Sequence, residues 1–235
     1  DKNQIINILL TQSRKGIKYA EDKYSKLIQA AKDAKIIGIC QPSLFAKLIS
    51  DINIIKSFES QIEIILSEIK NLLSAPYFPQ SIVNDIELLK TIPGIGEITA
   101  ITIISEIGDI KNFTKPKHLV AFLGLDPSVN ESGKFKGSNN HISKRGTHIG
   151  RRALYAVALA CIRKKRNGQA INPVLFNYYK TNMNGKSKKV GLIAIMHKIV
   201  NYIFAVLRDQ KPYEIRDPKL HCKMFLENKS TAKIA

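Results

Sequence analysis

Between residues 43 and 74 the large apolar side chains recur as Leu48, Ile52, Ile55, Phe58, Ile62, Ile65, Ile69 and Leu72. The gaps run 4, 3, 3, 4, 3, 4 and 3. No β-strand can use such a spacing, because strand side chains alternate with a period of two. One α-helix puts all eight on a single stripe, a heptad seam with one residue missing near Phe58. The stripe reads either as a long helix packed on its own core, or as a coiled coil or antiparallel hairpin that spaces or dimerises the protein. Upstream, residues 2–34 are rich in Lys, Gln, Ala, Leu and Ile, with no Pro and only Gly16 as a breaker, and predict a helix that breaks there if anywhere. Gly38 and Pro42 punctuate the chain, and Gln41-Pro42-Ser43 starts the next helix. Ala75-Pro76-Tyr77-Phe78-Pro79 ends the seam and marks the best domain boundary.

The second half keeps the helical period. Leu88 to Ala100 reads as a helix end, a Pro93-Gly94-Ile95-Gly96 turn and a new helix from Glu97 to about Ile107. This is a helix-hairpin-helix-like pattern. Its glycines allow the backbone to approach a phosphate, though a tight helix–helix connection needs glycines as well. Residues 113–123 predict a short helix with Thr114 as N-cap and Pro116 in the first turn. Residues 146–166 predict another, ending in Arg163-Lys164-Lys165-Arg166, where basic residues suit the helix dipole, with Asn167-Gly168 as the stop. Asn172-Pro173 starts a helix, Asn184-Gly185-Lys186 turns, and residues 187–207 make a last one. No alternating strand run or internal repeat is visible. The expectation is an all-α protein with a helical coiled-coil region at 1–76, a compact helical domain at 77–212, and a basic, partly disordered tail at 213–235.

Charge decides the class of partner. The chain has 37 Lys and Arg against 19 Asp and Glu, a net charge of +18. From Ser132 to Arg208 there is no Asp or Glu, against 16 Lys and Arg. A protein surface ordinarily mixes both signs, and a one-sign stretch repels itself unless a polyanion neutralises it. Nucleic acid is the expected partner. A membrane is not expected, since no apolar run approaches the roughly 20 residues of a span, and no secretory signal is visible. Cys40, Cys161 and Cys222 are odd in number and widely spaced, which suits reduced thiols of a cytoplasmic protein rather than disulfides or a zinc site.

The same pattern limits the chemistry of the loop at 124–152, which holds Ser128, Ser132, Gly133, Lys134, Lys136, Ser138, Ser143, Lys144, Arg145, Arg151 and Arg152. A two-metal phosphoryl-transfer site needs convergent carboxylates, and Glu97, Glu106, Asp109, Asp126 and Glu131 show no metal spacing. A hydroxyl nucleophile flanked by arginines is the route left to this segment, with a phosphoserine storing the bond energy for rejoining.

The order of motifs resembles the C-terminal half of transposases of the insertion sequence 110 family, related to the pilin-gene-inverting recombinases. The resemblance rests on Ile92-Pro93-Gly94-Ile95-Gly96-Glu97, Phe122-Leu123-Gly124-Leu125-Asp126-Pro127, Glu131-Ser132-Gly133-Lys134, Ile142-Ser143-Lys144-Arg145-Gly146 and Arg151-Arg152-Ala153-Leu154. It continues through Tyr178-Tyr179 and Gly185-Lys186 to Lys189-Val190-Gly191-Leu192, covering roughly residues 88–213 closely. It implies a DNA recombinase of prokaryotic cytoplasm, in several members directed by a structured RNA, with a coiled-coil region that makes a homodimer or larger assembly. It also implies an Asp-Glu-Asp-Asp magnesium site in an N-terminal RuvC-like domain; that domain is not expected among these residues, and so no cofactor is expected within them. By the same resemblance the nucleophile is Ser132, with Ser128 and Ser138 as competitors. The nucleic-acid contacts expected are Gly94, Gly96, Lys134, Lys136, Lys144, Arg145, Arg151, Arg152, Lys186, Lys188 and Lys189. Two other readings stand beside it: a non-catalytic helix-hairpin-helix module for DNA or RNA, and a helical scaffold that dimerises and only neutralises RNA.

Overall fold

The computed structural model describes residues 1–13, 15–38, 42–128, 131–132, 135–136 and 141–217. It separates into two compact units, Asp1–Pro76 and Tyr77–Ala235.

In the first unit, α1 (Lys2–Ser13) and α2 (Ile17–Ile37) pack on one another on either side of Gly16. α2 ends because Gly38 takes φ 67° and returns its N–H to the Ala34 carbonyl at 3.1 Å, a left-handed cap that glycine adopts without strain. α3 (Pro42–Leu73) then runs for 32 residues, starting at its proline as the sequence suggests. None of its residues is buried. Ile52 is 41% exposed and Phe58 60%. The heptad stripe is thus exposed except at half-buried Ile69, and α3 is not packed on a core of its own.

The second unit is built around its last helix. α4 (Gln80–Lys90), α5 (Glu97–Ile107), a 3-10 turn (Ile110–Asn112), α6 (Pro116–Phe122), α7 (His148–Cys161), α8 (Pro173–Asn182) and α9 (Lys188–Asp209) follow in order. A two-residue hairpin of β1 (Glu131–Ser132) and β2 (Phe135–Lys136) lies between α6 and α7. The all-α expectation holds. α9 packs against α4, α6, α7, α8 and the 3-10 turn. Leu192, Ile195, Ile199, Val200 and Ile203 on it are fully buried. At about 1.5–3 kcal/mol for each large aliphatic side chain, this burial is the main force holding the unit together.

α9 corrects one expectation from the sequence. It is 22 residues long and holds an 18-residue window of mean hydropathy 1.9, long and apolar enough to cross a membrane by length and composition. It is apolar because it is the core, with five helical segments covering it.

Three element ends also differ from expectation. Lys115, not Thr114, takes the N-cap position of α6, and the Thr114 hydroxyl pairs with His118 Nδ1 at 3.1 Å instead. α7 stops at Cys161, ahead of the basic run. The tail is latched where loose order was expected: the Tyr213 N–H donates to Thr91 Oγ1 at 2.8 Å, and its ring lies 4.9 Å from that of Tyr202. The rest of the expected tail, residues 218–235, lies outside the described residues.

Candidate nucleic-acid interface

The loop from Gly124 to α7 stands on a zipped stem. The Lys144 N–H donates to the Gly124 carbonyl at 3.0 Å, Ser143 N–H to Asp126 at 2.7 Å, and Ser128 N–H to His141 at 2.7 Å. Pro127 and Ile142 form an antiparallel bridge within it. The Ser143 hydroxyl donates to Asp126 Oδ1 at 2.5 Å, so this carboxylate is committed to holding the stem shut. Gly124 has φ 65°, and Lys144 adopts φ 55°, a conformation unusual for a residue with a side chain.

The close crossing at the base explains Gly146. A Cβ there would sit 1.9 Å from the Phe122 carbonyl oxygen. Arg151 ties the crossing together: its Nη1 donates to the Leu123 carbonyl at 3.1 Å and the Gly146 carbonyl at 2.7 Å. From the core side, His197 Nε2 meets the Leu125 carbonyl at 2.9 Å. A carbonyl only accepts, so that nitrogen carries the proton.

On this stem, β1 and β2 pair Ser132 with Phe135 and Glu131 with Lys136. Ser132 and Lys136 are therefore placed by backbone register. Gly133, Lys134 and Ser138 lie outside the described residues, and Ser128 is in the stem itself. Lys144, Arg145 and Arg152 are exposed, whereas Arg151 is half-buried. The loop thus brings together the stem cations and α7's two arginines, but gives them different work. Arg151 builds the loop; Arg152 faces solvent.

Lys186, Lys188 and Lys189 belong to another element. They are exposed at the start of α9, where the Ser187 hydroxyl caps the Val190 N–H at 3.5 Å. Cations at a helix N-terminus oppose the helix dipole, an arrangement that an incoming anion relieves.

The two glycines of the helix-hairpin-helix-like turn part company. Gly94 has φ 107°, and a Cβ on it would meet the buried Cys161 Sγ at 2.8 Å. It is a packing glycine. Gly96 precedes α5 with φ −97°, and a Cβ on it would meet nothing within 4 Å. No side chain at Gly96 caps the first-turn N–H groups of α5. Glu97 does place one carboxylate in that turn. Cys161 itself donates to the Pro93 carbonyl at 3.2 Å, and burial pushes its thiol up to about 12. It is an inert structural group at neutral pH.

Among the described residues the acids are engaged elsewhere or apart from one another. Asp126 holds Ser143, and Asp109 Oδ1 accepts from the Lys111 N–H at 2.9 Å. Among the described residues no three His, Cys, Asp or Glu side chains are grouped to hold a metal ion. The donor set here does not fit a divalent cation.

Two features escaped sequence reading. The bond between Ser143 and Asp126, 17 residues apart, and the reach of His197 to Leu125 have no local signal. The basic run at 163–166 had one: Asn167-Gly168 is a hairpin dipeptide. It forms a turn with Gly168 at φ 82°, flanked by the bridge from Lys164 to Ala170.

A helical domain thus lifts a cationic loop on a glycine crossing. The family model described as Transposase IS116/IS110/IS902 family matches residues 86–172, from α4 through the loop and α7 to the cap of α8. Through that span the chain is similar to this transposase family. It is 33% identical to the pilin gene-inverting protein of Moraxella bovis over 130 residues, 55% of this chain and 38% of that protein. It is 30% identical to the transposase for insertion sequence element IS1111A of Coxiella burnetii over 129 residues, 55% of this chain and 34% of the relative. An uncharacterised 43.6 kDa protein of insertion element IS110 from Streptomyces coelicolor is 29% identical over 132 residues, 56% of this chain and 31% of its own length. The chain thus spans about a third of the length of these relatives.

Proposed function

We propose that this chain is the DNA-handling, serine-bearing part of a transposase or site-specific recombinase. The observation that carries the reading is the coincidence of the family match at 86–172 with a stretch that has no acid from Ser132 to Arg208. Ser132 Oγ attacks a backbone phosphorus, the phosphorus–oxygen bond to the neighbouring deoxyribose breaks, and a phosphoserine forms. The Oγ proton goes to solvent or a base, and the departing deoxyribose oxygen gains one. Arg145 and Arg152, exposed beside the stem, oppose the charge gathering on the phosphoryl oxygens. Lys134, Lys136 and Lys144 hold neighbouring phosphates. Reversal of the same step by a new strand's hydroxyl rejoins DNA without loss of bond energy.

The described residues do not fit a metal, so no step runs through one here. On this reading the magnesium-binding carboxylates belong to a RuvC-like domain supplied from outside these residues. The open face of α3 suits a second copy of the chain in a coiled coil. A structured guide RNA and a prokaryotic cytoplasm complete the reading.

These residues alone are expected to be inactive, so the test is a covalent adduct, resistant to denaturant, between the intact protein with its RuvC-like domain and a plasmid bearing the element's ends. Ser132→Ala should abolish it and Ser128→Ala should leave it. An adduct unchanged in Ser132→Ala refutes the assignment. One observation favours a second reading, a non-catalytic phosphate-gripping module: the turn at Gly96 is open while its packing partner Gly94 is closed. On that reading Ser132→Ala changes no activity, and only substitution at Gly96 weakens binding.

A further inference from the structure

The run Arg163-Lys164-Lys165-Arg166 is not the last turn of a helix, so the helix dipole does not account for it. Residues 163–171 form a hydrogen-bonded hairpin instead. The Ile171 N–H donates to Arg163 at 3.0 Å, Lys165 N–H to Gln169 at 2.7 Å, and Gly168 N–H to Lys165 at 3.0 Å. All four cations are exposed. The ion pairs among the described residues join Lys26 to Asp22, Lys90 to Glu87, Arg208 to Asp209 and Arg216 to Glu214, and leave these four without a carboxylate. Lys164 Nζ lies 5.4 Å from the Phe176 ring centre, and Lys180 Nζ lies 5.9 Å from the same ring. Two ammonium groups sharing one ring add repulsion that a polyanion removes.

We infer that the hairpin at 163–171 is a second DNA contact, gripping the phosphate backbone of a duplex at the end of α7 opposite the serine-bearing loop. The inference rests on the DNA-handling reading above and adds a site outside it. The hairpin carries no aromatic residue on which an unpaired base could stack, so its cations address backbone phosphates. Its neighbour is the Pro93–Gly94 turn, joined to it through Cys161 two residues before the hairpin begins. Glu97 makes that turn a weak anion site alone, and the hairpin supplies the missing charge.

The geometry sets a distance. The loop enters α7 at one end and the hairpin leaves at the other, and a helix of 14 residues is about 20 Å long. A duplex laid along α7 advances about 3.4 Å per base pair. The hairpin therefore meets phosphates about six base pairs from those held by Arg145 and Arg152.

The full chain and a 30-base-pair DNA duplex, titrated with salt, test this; the duplex length is on the order of three helical turns. Lys165→Ala with Arg166→Ala should flatten the slope of log affinity against log salt by about 2, close to 0.9 per lost phosphate contact. Lys165→Arg with Arg166→Lys should keep it, and circular dichroism should show both variants folded. Ethylation interference should place the lost phosphates about six base pairs from those lost in Arg152→Ala. A wild-type chain that binds DNA with a slope the double alanine variant retains overturns the inference alone. A slope lost on an RNA duplex but kept on DNA overturns it in favour of RNA. A wild-type chain that does not bind DNA defeats the DNA-handling reading, and this inference with it.

Discussion

Gly94→Ala and Gly96→Ala differ by one methyl group each, two residues apart in the same turn, and should behave oppositely. At Gly94 the new Cβ meets Cys161 Sγ at 2.8 Å, and the backbone sits at φ 107°. The sulfur cannot swing away, because Cys161 is fully buried and bonded to the Pro93 carbonyl. A non-glycine residue in a sparsely populated region costs about 1–3 kcal/mol, and overpacking a tight contact costs a similar amount. A loss of about 3 kcal/mol lowers Tm by roughly 6–12 °C in a domain of this size. At Gly96 the methyl enters open space at φ −97°. Alanine caps a helix less well than glycine, but it restricts the unfolded chain, and the two effects cancel to within about 1 kcal/mol. Its cost appears in binding instead. If the proposed phosphate contact is made there, a methyl facing the first-turn N–H groups removes one charge-assisted hydrogen bond of about 1.5 kcal/mol, roughly tenfold in affinity. Thermal melts and duplex-DNA titrations of both variants decide the matter. Equal Tm losses, or a melt lowered only by Gly96→Ala, would refute the division of labour.

The paired arginines of α7 should also separate. Arg151→Ala removes two hydrogen bonds from a half-buried guanidinium to the loop crossing, and should cost about 1.5–3 kcal/mol in urea unfolding. Arg152→Ala should leave stability within about 0.5 kcal/mol while weakening DNA binding. Alkylation mapped by mass spectrometry should find Cys161 protected in the folded chain at pH 8 and labelled once the chain is unfolded. Because burial raises the folded thiol from its ordinary 9.0 to about 12, the unfolded state releases that proton first. Stability is therefore lost as pH rises through this window, and a melting temperature that climbs there would contradict the assignment.

Much of the architecture was legible because helices announce themselves locally. The 3-and-4 spacing, the prolines at 42, 116 and 173, and the glycine at 38 mark element ends through steric and hydrogen-bonding rules that act within a few residues. Charge was legible for the same reason, since composition carries it directly. The ends that were misread are those where a local rule had two outcomes. Asn167-Gly168 can stop a helix or turn a hairpin, and only the pairing of Lys164 with Ala170 chose the second. The basic run changed meaning with that choice.

What the sequence determined by itself is that the chain is helical, strongly cationic, and without carboxylates from Ser132 to Arg208. Tertiary structure decided the rest. It made Gly94 a packing residue and left Gly96 open, and it assigned Arg151 to the fold and Arg152 to solvent. The reason is physical: propensity and charge are properties of neighbours in the chain. Whether a glycine or an arginine faces a ligand depends on what has been folded against its other side, which here is Cys161, 67 residues along the chain from Gly94, and the carbonyls of Leu123 and Gly146.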